Sequence, residues 1–184
     1  MSMLNAHTYT SGSTFSDTPN VLVMSASSAF RQEIIRQTMT IAQRQRQGGK
    51  VLFICGRNAP LDTLRQYQPL MPQLKMLAVE DIEIVTSPSN TPYLACRRAD
   101  VLFVTPRYLQ RQLMLHPKLH AYEVFDGVDL LVMDDLDDTL DPTDQAILEL
   151  GIVQLYLDQF LPWKQPRVIV TTQFTKFSFF SGVI

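Results

Sequence analysis

Cysteine is scarce in this chain: two in 184 residues, Cys55 and Cys96, at no spacing that would hold a metal. They read as ordinary buried thiols of a reduced, intracellular protein. Charge of one sign is also lacking. The net charge is −2 at pH 7, without the basic excess that binds nucleic acid by bulk electrostatics; only a local patch could do so. No apolar run reaches the length of a membrane span, and the N-terminus lacks a basic-then-apolar signal pattern. No internal repeat is visible. What remains is one domain's length of chain, 46% hydrophobic, enough for a real core.

Residues 1–20 are rich in Ser, Thr and Asn with almost no periodicity, and are expected to form a flexible arm. From Val21 to residue 184 the pattern predicts a single domain of alternating elements. Strands are expected over Val21–Met24, Val51–Cys55, Ile82–Val85, Val101–Val104, Val128–Met133 and Arg167–Thr171, with another over Phe177–Ile184. Helices are expected over Ala29–Arg46, Pro60–Tyr67, from Pro106 to about Leu115, and from Asp141-Pro142 to about Phe160. On the first helix, Ile34, Ile35, Thr38, Ile41 and Ala42 share the expected inner face, and Gly48-Gly49 ends it. Strands apolar on both faces, separated by helices, imply a mostly parallel sheet in a three-layer α/β domain with helices on both faces. Ligands of such folds lie at the carboxyl ends of the strands.

The loops at those ends carry the chemistry. Four aspartates, Asp134, Asp135, Asp137 and Asp138, fall within five positions after an apolar strand. Val101-Leu102-Phe103-Val104-Thr105-Pro106-Arg107-Tyr108-Leu109 resembles the strand-then-Thr-Pro-Gly-Arg element of DEAD-box helicases of superfamily 2. Arg107 stands in place of the glycine and Tyr108 in place of the arginine. Asp134-Asp135-Leu136-Asp137 sits where that family has Asp-Glu-Ala-Asp, Thr171-Thr172-Gln173 where it has Ser-Ala-Thr, and Arg57 matches the arginine of Pro-Thr-Arg-Glu. The resemblance covers about residues 21–176 and implies the first RecA-like domain of such a helicase. It also carries the expectation that the first apolar strand neighbours the aspartate-ending one.

One departure is large. Where the family has a Gly-rich phosphate loop ending Gly-Lys-Thr, this chain has Ser25-Ala26-Ser27-Ser28-Ala29-Phe30-Arg31. Close backbone approach to a phosphate needs glycine. The lysine supplies charge on the β- and γ-phosphates, and the next hydroxyl holds Mg²⁺. Here Phe30 occupies the lysine place, leaving Ser27, Ser28 and Arg31 as the remnant of a nucleotide site. The family's adenine-reading glutamine is missing from residues 1–20. The chain is therefore expected not to be an enzyme and to need neither ATP nor Mg²⁺. Asp134, Asp135 and Asp137 are then a remnant acidic motif with no metal of their own. A helicase domain retaining weak ATP binding is the nearest alternative.

A second enzyme reading stays open. Asp135-Leu136-Asp137-Asp138-Thr139 also looks like the Asp-x-Asp-x-Thr motif of haloacid dehalogenase-type phosphatases. Asp135 would then be the nucleophile and Asp137 the acid/base, both holding Mg²⁺. Thr171 or Thr172 would bind phosphate, and Lys176 would neutralise it. Against it, that motif normally opens its domain, and no paired aspartates follow to complete the metal site.

The helicase resemblance implies a surface for single-stranded RNA, contacted through backbone phosphates. Arg57, Thr105, Arg107, Arg97 and Arg98 are the candidates, and near-neutral charge implies weak binding. A protein-interaction role is the other expectation. Phe174, Phe177, Phe179, Phe180, Val183 and Ile184 crowd the C-terminus, as a last core strand or as an edge for a partner or second copy. Degenerate helicase domains of this sort occur in scaffolding proteins, which implies a cytoplasmic location, RNA granules included, or a nuclear one.

Overall fold

The computed structural model describes residues 6–9, 20–45, 49–56, 59–79, 91–109, 127–134 and 166–172. In chain order the elements are β1 (Ala6–Tyr9), β2 (Asn20–Met24), α1 (Ser28–Gln45), β3 (Lys50–Cys55), α2 (Pro60–Tyr67), β4 (Met76–Ala78), α3 (Thr91–Arg98), β5 (Val101–Val104), β6 (Val128–Asp134) and β7 (Arg167–Thr172). The strands form one sheet in the order β1-β2-β7-β6-β3-β5-β4. Every pairing is parallel except β1 with β2.

The sequence of the central strands explains this arrangement. All six residues of β3, Lys-Val-Leu-Phe-Ile-Cys, and all four of β5, Val-Leu-Phe-Val, are buried. Parallel neighbours need a crossover between them, and the crossovers cover the sheet. Strand alternation divides the core in two. Val51, Phe53, Val101, Phe103, Leu130, Val132 and Ile169 meet Ile35, Met39 and Ala42 of α1 and Leu64 and Tyr67 of α2. Leu52, Ile54, Leu102, Val104, Leu131 and Met133 point the opposite way and are equally inaccessible. Phe53 is the hub of the first face, its ring 4.9 Å from Phe103 and 5.3 Å from Tyr67, both tilted.

At the amino ends of the strands, polar groups tie the elements together. Lys50 Nζ donates to the Cys96 carbonyl at the end of α3, at 2.7 Å. The Lys75 amide donates to Asp100 Oδ2 at 2.7 Å, and the Val51 amide to the Asp100 carbonyl at 2.9 Å. A side chain at Gly49 would overlap the Asp129 carboxylate, so the glycine that ends the helix-to-strand turn is also a packing requirement.

Several expectations change. The arm expected over residues 1–20 contains β1, which pairs antiparallel with β2, Ala6 opposite Val23 and Tyr9 opposite Asn20. The inner face of α1 is rotated: Arg31, Ile35, Met39 and Ala42 are buried, whereas Ile41 is 47% exposed. A strand at Met76–Ala78 borders β5, and the expected one over 82–85 lies outside the described residues. Helix α3 was not anticipated, although Thr91-Pro92 carries the same cap-then-proline signal as Asp141-Pro142. The first apolar strand is not beside the aspartate-ending one, because β7 pairs with both and lies between them. The helix from Pro106 is described as far as Leu109. The expected elements over 141–160 and 177–184 lie outside the described residues.

Cys55 closes β3 in an environment that resists ionisation. Burial, more than any other cause, pushes its thiol from 9.0 up to about 12; the Asp134 charge adds to the rise, and hydrogen bonding from Thr63 and the Val104 backbone opposes it. The folded protein therefore keeps a proton that the unfolded chain loses above pH 9. The corresponding stability is whole below that pH and falls as pH rises toward 12. Urea unfolding from pH 8 to 10.5 is expected to show a steeper loss of midpoint in the wild type than in Cys55→Ala.

Candidate functional site

The carboxyl ends of β2, β7, β6 and β3 lie side by side, and the loop from β2 to α1 closes on itself there. The Ser27 amide donates to Ser25 Oγ at 3.1 Å, and the Phe30 amide donates to Ser27 Oγ at 3.3 Å. Ser27 is thus the N-cap of α1, its hydroxyl accepting from the third helical residue. The Arg31 amide reaches the Ser27 carbonyl at 3.1 Å. The Arg31 side chain, 4% exposed, turns back so that Nη1 donates to the Ser25 carbonyl. Phe30 packs against the hydrophobic core.

Two strands along, Asp134 is the last residue of β6, in register with Cys55 on one side and Thr171 on the other. Thr171, 1% exposed, donates its hydroxyl to Asp134 Oδ1 at 2.5 Å. The Gly56 amide donates to the Asp134 carbonyl at 3.0 Å. The carboxylate is therefore fixed from its own backbone and from β7. A cleft of about 270 Å³ opens beside it, lined by Ser28, Arg31, Gln32, Gln66, Tyr67 and Asp134. Its lining thus includes the buried Arg31, the strand-end Asp134 and two glutamines, with the core residue Tyr67 beneath.

Of the residues expected from sequence, Ser27, Ser28, Arg31, Asp134 and Thr171 come together here. Thr172 is the last residue of β7, paired with Met24. Thr105 caps the turn after β5, its hydroxyl accepting the Tyr108 amide at 3.0 Å, and Arg107 is exposed in that first turn. Tyr108, at the family's arginine place, is 2% exposed and belongs to the core. Arg97 and Arg98 do not join this edge. They lie exposed in the last turn of α3, beside Cys96, whose carbonyl holds Lys50 at the start of β3. That is the amino edge of the sheet, because a crossover helix runs back against its strands. Arg57, Asp135, Asp137, Gln173 and Lys176 lie outside the described residues.

Gln32, Gln66 and Tyr67 were not anticipated. They sit inside helices rather than in the loops at strand ends. One signal was available: Gln32 is one helical turn beyond Ser28 and so shares its face. Among the described residues no group of three or more His, Cys, Asp or Glu side chains is placed to hold a metal ion, and Asp134 is the carboxylate that reaches the cleft.

The fold is that of helicase RecA-like α/β domains. The chain is similar to the helicase MrfA, solved bound to DNA, with a TM-score of 0.59 and 13% identity over 82% of this chain and 20% of that one. It is also similar to the helicase domain of Hef from Pyrococcus furiosus, with a TM-score of 0.53 and 20% identity over 85% of this chain and 30% of that one. The chain thus spans less than a third of either. No family model and no curated protein sequence matches it.

The Thr171–Asp134 bond generates a stability prediction. Thr171→Val keeps the shape and removes the donor from a half-buried carboxylate contact, and is expected to cost about 1 kcal/mol in urea unfolding. Thr171→Ser, which retains the hydroxyl, should recover most of that loss.

Proposed function

We propose that this chain is a DEAD-box-like helicase domain that no longer hydrolyses ATP and serves as an RNA-associated or protein-binding scaffold. One observation carries the reading: the loop into α1 bonds to itself, serine hydroxyls already holding two of its amides. A helix N-terminus binds phosphate through its unpaired amides. Here Ser25 and Ser27 accept the Ser27 and Phe30 amides. The residue at the lysine position is a phenylalanine held against the core, and the nearest cation, Arg31, gives Nη1 to Ser25. A triphosphate would have to displace these bonds and would gain no lysine in return.

The dehalogenase-type reading is the weaker of the two. It needs Asp135 to present the nucleophile from the strand end, whereas β6 ends on Asp134, which supports the helicase-like alignment. Solved bound to DNA, MrfA supports nucleic acid as a partner class for this fold. The residue best placed for it is Arg107, exposed in a capped helical turn on the same edge as the cleft. Partner proteins, or a second copy engaged through residues 174–184, complete the scaffold reading. The expected setting is the cytoplasm, RNA granules included, or the nucleus.

Calorimetric titration of the chain with ATP and Mg²⁺ is expected to give no measurable heat of binding; a micromolar dissociation constant would overturn the reading. For RNA, Arg107→Glu should weaken binding to a short single strand several-fold. Arg98→Glu makes the same charge change at the opposite edge and should leave it nearly unaltered. Equal losses would mean that only net charge matters.

A further inference from the structure

We propose that the cleft between α1 and α2 holds an extended, uncharged stretch of a partner protein, gripped through its backbone amides. This rests on the scaffold reading above and names the chemistry of the partner.

The charged groups of the cleft are already engaged within the fold. Arg31, 4% exposed, gives Nη1 to the Ser25 carbonyl, and Asp134 accepts the Thr171 hydroxyl. Both make further interactions in the folded chain. Tyr67 is buried with its ring against Phe53 and Phe103, so it forms the floor and not a contact. Three polar lining side chains are left. Ser28 and Gln66 are exposed, and Gln32 is half-buried. Other glutamines of α1 are spent within the fold: Gln37 donates to Glu33 and Gln43 to the Gly49 carbonyl. The cleft is where α1 and α2 each turn an uncommitted carboxamide toward the same space.

Those three groups ask for a neutral ligand. Each carboxamide carries an N–H₂ donor and a C=O acceptor side by side, and a hydroxyl can do either. A phosphate or carboxylate entering the cleft would lose water beside Asp134, and the cation it meets is one already bonded to Ser25. A metal ion or ammonium group would lose water beside Arg31. Nucleotides and RNA bring the first of these costs with their phosphates. A peptide group brings neither, and its N–H and C=O match the carboxamide pair. An extended chain leaves both groups open along its edges, whereas a helix spends its own internally.

Position and size agree. Gln32 follows the buried Arg31, and Gln66 precedes the buried Tyr67. Both helices are thus held where the glutamines leave them, and only the side chains have to be ordered on binding. At about 270 Å³ the cleft falls below the roughly 300–1,000 Å³ of pockets that enclose drug-sized ligands. It suits a short stretch of backbone with small side chains.

The test starts from a library of short random linear peptides, selected on the immobilised full chain. Enriched peptides are titrated into nitrogen-15-labelled chain, and the glutamine side-chain N–H₂ signals are followed by NMR. The Gln32 and Gln66 signals should move together and saturate. Gln32→Met and Gln66→Met keep the length and remove the amide; each is expected to weaken binding about fivefold. Gln37→Met, on the same helix but outside the cleft, should leave it unchanged. N-methylation of the bound peptide backbone removes its donors and should cost a similar factor. Should a Met variant not fold, the N-methylated peptides on the unaltered chain decide alone. An empty selection overturns the proposal, as do peptides that bind the Met variants or lose their N–H groups without penalty. Inorganic phosphate, AMP or a short uridine strand that moves the same two signals at lower concentration than any selected peptide would make the occupant an anion, and overturns it too. Failure of the scaffold reading looks different: the unaltered chain would bind ATP with Mg²⁺.

Discussion

A parallel sheet buried on both faces leaves chemistry almost nowhere to go. Through the middles of β3, β5, β6 and β7 the side chains on both faces are apolar and inaccessible, because any polar group there would have to be satisfied in the interior. Polar side chains are pushed to the strand ends. The amino ends hold Lys50 and Asp100, whose side chains join elements. The carboxyl ends hold Ser25, Ser27, Thr105, Asp134 and Thr171, and of these Asp134 lines the cleft. The division between framework and function therefore follows from strand direction.

Strand direction also explains what the sequence could and could not reveal. The bounds of α2 and β5 were legible to the residue, and those of β3 to within one. Each is a dense apolar run or a proline-initiated turn closed by a clear stop, and local preference agrees with the global fold there. The inner face of α1 was misjudged because its apolar residues nearly encircle the helix. Ile41 fits the period as well as Met39 does, and only the position of the sheet decides between them. Strand β1 was hidden for the opposite reason. Ala6–Tyr9 carries no apolar alternation, and its order comes from pairing with the edge of β2. The placement of β7 between β2 and β6 is a long-range pairing that no local pattern reports.

The same distinction holds for the site. Ser27, Ser28, Arg31, Asp134 and Thr171 were legible because they follow strands, and strand ends converge. Arg97 and Arg98 stand at the opposite edge because a helix precedes β5 and delivers its last turn to the amino ends of the strands. Gln32, Gln66 and Tyr67 were invisible because a cleft between two helices draws on residues from both, chosen by the angle at which they pack. What the sequence stated most plainly was an absence: no glycine and no lysine between Ser25 and Arg31. The structure adds what fills that absence, a loop whose serines and arginine bond to one another.

The pairing of β1 has one more consequence. Because it runs antiparallel to β2, with Ala6 opposite Val23, the chain enters the sheet at the carboxyl edge, close to Ser25. Ala6 thus stands on the same edge as the cleft, with β2 and β7 between it and the strand that ends on Asp134. A ligand mimic attached at Ala6 would need a linker long enough to cross those two strands before its effective concentration at Asp134 became high.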